Sequence, residues 1–127
     1  MTREVSVSPE GEVFYLPNED DYTNEFLRLK NLVDCHRGQG REIVVVMGIG
    51  FVGAVMAAVV ADSTDGSGNP GKFVIGMQRP SARSFWKIPL MNRGIAPVKS
   101  EDPEVPAMIK RCVLEKGTLT ASFTYKA

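Results

Sequence analysis

Residues 42–62, EIVVVMGIGFVGAVMAAVVAD, join three kinds of sequence end to end. A β-branched run without polar alternation comes first, then three glycines within six positions, then an Ala- and Val-rich stretch. The unalternating run suits a strand buried on both faces, as in a parallel sheet. A strand handing over to a helix through glycines opens a strand–helix–strand unit. Gly48-Ile49-Gly50-Phe51-Val52-Gly53 matches G-x-G-x-x-G in the context where that pattern has chemical meaning. Gly48 allows the tight turn, Gly50 lets a diphosphate approach the backbone, and Gly53 lets the helix pack closely on the strand. The N–H groups of Phe51 and Val52 would then face the diphosphate, helped by the partial positive charge of the helix start.

The rest of the chain extends this grammar. EVSVSPEGEVFYLP alternates on both sides of Pro9-Glu10-Gly11 and predicts a hairpin. Phe26, Leu27, Leu29, Leu32 and Val33 recur at helical spacing, so a helix is expected over roughly 21–36, stopped by Gly38 and Gly40. His36 falls at its end, where the helix dipole favours a cation. A helix from Ala54 to Asp62 and a loop, STDGSGNPGK, precede a second buried strand, FVIGM (73–77). Residues 78–104 carry five prolines or glycines that punctuate any regular pattern, and are expected to be irregular. PEVPAMIKRCVLEKG reads as a helix with Val105, Met108, Ile109, Cys112 and Val113 on one face, and TLTASFTY as a strand. The fold class expected is α/β: a partial Rossmann-like parallel sheet (βαβαβ) preceded by an N-terminal hairpin and helix. Residues 1–40 form the extension and 41–127 the sheet-bearing domain.

Lys+Arg and Asp+Glu are both 15, and the basic residues are scattered, so no nucleic-acid footprint is expected. Cys35 and Cys112 lie far apart in no metal-ligand spacing, which fits free thiols in a reducing, cytoplasmic setting and no metal. The opening residues have no apolar core of a secretory signal, and the apolar run Phe51–Ala61 is too short to span a bilayer. Cys112 belongs to an apolar helix face and is expected as packing. Trp86, in a Pro-rich segment, is expected mainly in core packing.

The adenosine side of a dinucleotide site normally carries an acid at the tip of the second strand, where it accepts from the ribose hydroxyls. Counting along the strands puts Gln78 there, while Asp62 and Asp65 fall at the helix end and in the loop. Arg79 and Arg83 follow, cations suited to a 2′-phosphate. NAD is the expected cofactor, with NADP left open.

VVVMGIGFVGAVMAAVVA, FVIGMQRPSARSFWKIPLMNRGIAPVKSEDPEVPAMI and LEKGTLTASFTY, taken in order, resemble the start of nucleotide-sugar dehydrogenases of the UDP-glucose/UDP-N-acetylmannosamine/GDP-mannose type. The resemblance spans about residues 43–127. It implies that Gly48, Gly50, Phe51, Val52 and Gly53 form the family's pyrophosphate turn. Gln78 stands where the family has its ribose-binding Asp, and Arg83 where it has a basic residue on the adenosine side. Asn92, Gly94 and Pro97 match a structural N-x-G-x-x-P segment, and Thr124 replaces an Asp that closes the last strand. The family oxidises a sugar CH₂OH to a carboxylate in two NAD-dependent steps through a cysteine thiohemiacetal. Neither Cys35 nor Cys112 matches that cysteine, so no catalytic residue is assigned. The expectation is a cofactor-binding fragment, inactive by itself, that would meet a UDP-sugar only with a downstream domain.

A stand-alone nucleotide-binding or regulatory domain, or an interaction module using residues 1–40, are the alternatives. The first parallel strand would leave an apolar edge without its outer neighbour, which predicts a homodimer or an added or swapped strand. The dinucleotide is thus the expected ligand, and a second copy the expected partner, with no membrane and no nucleic acid.

Overall fold

The computed structural model describes residues 3–124. The last residue quoted above for the final strand, Tyr125, lies outside the described residues. The hairpin comprises β1 (Val5–Val7) and β2 (Val13–Tyr15), paired antiparallel as their own two-stranded sheet. Its turn closes with Gly11 N–H donating to the Ser8 carbonyl, and Gly11 takes a positive φ of +91°. A left-handed conformation of this kind favours glycine.

Helix α1 (Glu19–Gly38) starts two residues before the pattern predicts, because Asn18 caps it. Asn18 Oδ1 accepts from Asp21 N–H, and Asp21 Oδ2 accepts from Asn18 N–H, both at 2.9 Å. This reciprocal pair satisfies helix-start donors that the apolar periodicity cannot reveal.

Strands β3 (Glu42–Met47), β4 (Lys72–Met77) and β5 (Leu119–Ser122) form a parallel sheet in the order β3-β4-β5. Helix α2 (Phe51–Asp62) crosses from β3 to β4. Two short helices, α3 (Lys87–Asn92) and α4 (Glu104–Lys110), and a π-helical turn at Arg111–Lys116 lead to β5. Helix α3 interrupts a region expected to be irregular. Pro89 sits in its first turn, where a missing N–H costs no intrahelical bond.

Strands β4 and β5 are buried on both faces, whereas on β3 only Val46 is buried and Val45 and Met47 are exposed. Val44 and Val46 of β3, Val74 of β4 and Leu119 and Ala121 of β5 pack with Ala54, Ala57, Ala58 and Ala61 of α2 and with Ile109 and Cys112. Small side chains on α2 let the helix lie close to the sheet. On the opposite face, Leu29 and Val33 of α1 meet Phe73 and Ile75. The hairpin docks on the α3 region: Ser6 Oγ accepts Trp86 N–H, and Glu12 pairs with Arg93 at 2.7 Å.

Two expectations are corrected. His36 is not a helix-end cation. It is buried, stacked on Phe73 with ring centroids 4.0 Å apart, and Arg41 donates to its Nδ1 at 2.7 Å. Burial first, and the Arg41 charge second, hold its pKa below the ordinary 6.5, so the ring is neutral with its proton on Nε2. Trp86 belongs to neither apolar core. It lies half-buried at the start of α3, its Nε1–H donating to the Arg83 carbonyl.

Candidate functional site

The glycine turn forms where β3 ends and α2 begins. Gly48 adopts φ +92°, which a side-chain-bearing residue rarely tolerates, and its N–H donates to the Met77 carbonyl at 2.6 Å. Ile49 points inward and is fully buried. Gly50 is the N-cap of α2 with extended backbone and no side-chain cap, so the first helical N–H groups have no side-chain partner.

The second and third glycines of the turn differ physically. A Cβ on Gly53 would overlap the Gly48 carbonyl oxygen, whereas a Cβ on Gly50 would meet nothing within 4 Å. Gly53 is therefore required by packing between turn and helix. Gly50 borders open space in front of the helix start. The geometry fits an anion approaching the backbone at Gly50 and the exposed N-terminal residues Phe51 and Val52.

At the tip of β4, Gln78 faces this turn. Its Oε1 accepts from Ile49 N–H at 2.9 Å, and its Nε2 donates to Ser84 Oγ at 3.2 Å. Ser84 in turn donates to the Arg79 carbonyl and lies 2.8 Å from Ser81 Oγ. Both ends of the Gln78 amide are thus engaged within the protein. Arg79 and Arg83 are exposed nearby in sequence and form no ion pair among the described residues. The site therefore brings together Gly48, Gly50, Phe51, Val52, Gly53 and Gln78, and leaves Arg79 and Arg83 as surface cations.

The two acids nearest the usual interval serve elsewhere. Asp62 pairs with Arg111 at 2.8 Å and Lys116 at 2.9 Å, which holds its carboxyl well below the usual range. Asp65 accepts the N–H groups of Ser67 and Asn69 and closes the loop. Cys112 is fully buried and burial pushes its thiol pKa up, the reverse of what a nucleophile needs. Among the described residues no cluster of His, Cys, Asp or Glu suits a metal ion. None of their helices is long and apolar enough to cross a membrane.

Sequence reasoning misses Ser84 and the Ile49 N–H as partners of Gln78. The available signal was Gln itself, a neutral side chain able to donate and accept at once.

Asn92 shows what the N-x-G-x-x-P segment does. Its Oδ1 accepts Ala121 N–H at 2.8 Å and its Nδ2 donates to the Ala121 carbonyl at 2.9 Å, covering the outer edge of β5 at Ala121. Thr124 lies just past that strand, its N–H donating to Ser122 Oγ.

A three-stranded parallel sheet entered through a glycine turn, with helices on both faces, defines a Rossmann-like α/β protein. Among solved structures the chain is similar to the crystal structure of NDP-N-acetyl-D-galactosaminuronic acid dehydrogenase from Methanosarcina mazei Go1. Identity is 30% over 75% of this chain, with a TM-score of 0.57. No family model matches the chain, and no curated protein matches it. This likeness supports a relation to the N-terminal portion of nucleotide-sugar dehydrogenases. It spans 18% of the length of the dehydrogenase that it matches.

Proposed function

We propose that this chain supplies the pyrophosphate-binding side of a nicotinamide dinucleotide site, as part of a nucleotide-sugar dehydrogenase that oxidises a sugar CH₂OH to a carboxylate. The observation that carries the reading is the contrast between Gly53, needed for packing, and Gly50, which faces open space at an uncapped helix start. Gly48 shapes the turn, and the N–H groups of Phe51 and Val52 hold the diphosphate. Bound there, the dinucleotide supplies the hydride acceptor. The residues of this chain bind and orient it.

NAD is the favoured cofactor. Gln78 acts mainly as a brace for the turn, because its amide is committed to Ile49 and Ser84. Arg79 and Arg83 then serve the adenosine side, and since no carboxylate there repels a 2′-phosphate, NADP stays open beside NAD. The sugar nucleotide and the nucleophilic thiol would come from a downstream domain, since Cys112 is buried with its thiol pKa raised and the exposed Cys35 does not match the family's cysteine. Residues 1–40 form an extension that backs the sheet through α1. Two free thiols suit a reducing, cytoplasmic compartment.

The engaged amide of Gln78 also favours a second reading, a domain that grips a phosphorylated ligand without selecting its ribose. Calorimetric titration with NAD, NADP, AMP and a UDP-sugar separates the two. Heat with NAD and none with the UDP-sugar is expected. Heat with AMP equal to that with NAD moves the assignment to the second reading, and no heat with any of the four overturns both.

A further inference from the structure

Strand β1 inverts the usual apolar-in, polar-out alternation of a hairpin strand. Ser6 and Ser8 are buried, while Val7 and its cross-strand neighbour Val13, with Tyr15, are exposed. Burying a hydroxyl is unfavourable unless it is hydrogen-bonded, so these inward serines need partners. Ser8 Oγ finds one inside the hairpin turn, accepting Glu12 N–H at 3.0 Å. Ser6 Oγ finds one 80 residues away, accepting Trp86 N–H at 3.0 Å.

Trp86 N–H is the odd donor of its segment. The N–H groups of Ser84, Phe85, Lys87 and Ile88 bond to carbonyls three or four residues back, whereas that of Trp86 crosses to the hairpin. From there the bonds run on toward the glycine turn. The Trp86 indole N–H holds the Arg83 carbonyl at 2.9 Å, Ser84 Oγ donates to the Arg79 carbonyl at 3.1 Å, and Gln78 Nε2 donates to Ser84 Oγ at 3.2 Å. Gln78 Oε1 ends the series on Ile49 N–H. Arg79 and Arg83 thus sit on a loop that leaves β4 at one end and is tied to residue 6 at the other. The glycine turn has fixings of its own, Gly48 N–H on the Met77 carbonyl and Gly53 against Gly48.

We propose that Ser6 is a positioning residue for the loop 79–86, so that the N-terminal hairpin sets the adenosine side of the site through Trp86. For the identity of the ligand this rests on the dinucleotide reading above. Without the Ser6 hydroxyl, Trp86 N–H is a donor with no acceptor, and the loop is free to leave its bound conformation. A ligand that needs the ordered loop then binds more weakly, by the fraction of chains that keep it. A ligand that needs only the glycine turn does not.

The test compares the native full chain with Ser6→Ala, which deletes one oxygen atom. Hydrogen exchange at the Ser84 and Phe85 amides, neither of them bonded to Ser6, is expected to speed up about tenfold, the scale of one lost hydrogen bond. The Val74 and Gly48 amides should keep their native rates. Calorimetry is expected to show NAD affinity reduced about tenfold, in step with the loop population, and inorganic pyrophosphate affinity unchanged. Ser6→Cys, close in volume but a weaker acceptor, should shift both readouts less and in the same direction, and it keeps the test decisive if Ser6→Ala does not fold. Native exchange at Ser84 and Phe85 in a folded Ser6→Ala chain overturns the proposal. An equal loss of NAD and pyrophosphate affinity also overturns it, because the whole domain has then loosened. A native chain that binds neither ligand refutes the dinucleotide reading instead, and exchange at Ser84 and Phe85 still decides whether Ser6 holds the loop.

Discussion

Gly53 and Gly48 are pressed together so closely that a Cβ on Gly53 would overlap the Gly48 carbonyl oxygen. The oxygen belongs to backbone and a Cβ is fixed by its own Cα, so neither can swing aside. Gly53→Ala is expected to destabilise the fold by about 3 kcal/mol, at the upper end of the overpacking range, measured by urea unfolding. Gly50→Ala has room on every side and an ordinary φ of −68°, so its melting temperature should hold. Its methyl group would stand where a diphosphate approaches, and calorimetry should show dinucleotide affinity reduced at least tenfold. Native affinity in a folded Gly50→Ala chain would refute the anion reading of the turn.

Gln78 Oε1 holds the Ile49 N–H at the heart of that turn. Gln78→Leu leaves a partly buried N–H without an acceptor and is expected to cost about 1–3 kcal/mol, read by thermal unfolding. Gln78→Glu keeps an acceptor but adds a negative charge near Arg79 and Arg83. It should weaken NADP relative to NAD by about tenfold, the effect of a charge difference near 1.4 kcal/mol. An unchanged ratio would mean that the 2′-phosphate lies away from residue 78.

Asn92 imitates a neighbouring strand for Ala121 with both ends of one amide. Asn92→Ala uncovers a buried donor and acceptor, so a loss of about 2 kcal/mol is expected. Because an edge is opened, aggregation on heating should also increase, and Asn92→Asp should rescue only the N–H contact. Hydrogen exchange at Ala121 checks this directly.

His36 is neutral and stacked on Phe73, and its pKa is held below 6.5 chiefly by burial. The unfolded chain therefore binds a proton that the folded chain refuses. Stability is full above pH 7 and falls as the pH drops through 6.5 toward the lower folded value. His36→Phe keeps a ring against Phe73 and should flatten the melting temperature between pH 7 and pH 5.

Asp62 behaves in the opposite chemical class with the same direction in pH. Arg111 first, and Lys116 after it, keep its carboxyl ionised far below the usual 3.8. Its contribution is complete above about pH 4 and is lost progressively in stronger acid. Arg111→Met should destabilise the fold modestly, given the exposure of the pair, and should move acid unfolding to higher pH.

The parallel strands and the glycine turn are legible in the sequence because their causes are local. A β-branched run favours a sheet strand with apolar neighbours, and φ +92° at residue 48 strongly favours glycine. The order of motifs likewise carries the resemblance to nucleotide-sugar dehydrogenases, since each motif is a short stretch with its own backbone requirement. Helix α3 is hidden because Pro89 is read as a breaker, although its place in the first turn makes it harmless. The charge state of His36 is hidden because it depends on Phe73 and Arg41, which reach it only after α1 folds onto the sheet.

The sequence by itself determined that residue 78 would be uncharged where a ribose-binding acid is expected, and that three glycines would join strand to helix. Tertiary structure decided what those residues do. It turned Gln78 inward to brace Ile49, separated Gly53 as a packing residue from Gly50 as an open one, and covered Ala121 of β5 with Asn92. The physical reason is distance along the chain. Backbone conformation is settled by neighbours in sequence, but a hydrogen bond between residues 49 and 78, or 92 and 121, exists only once separate elements meet.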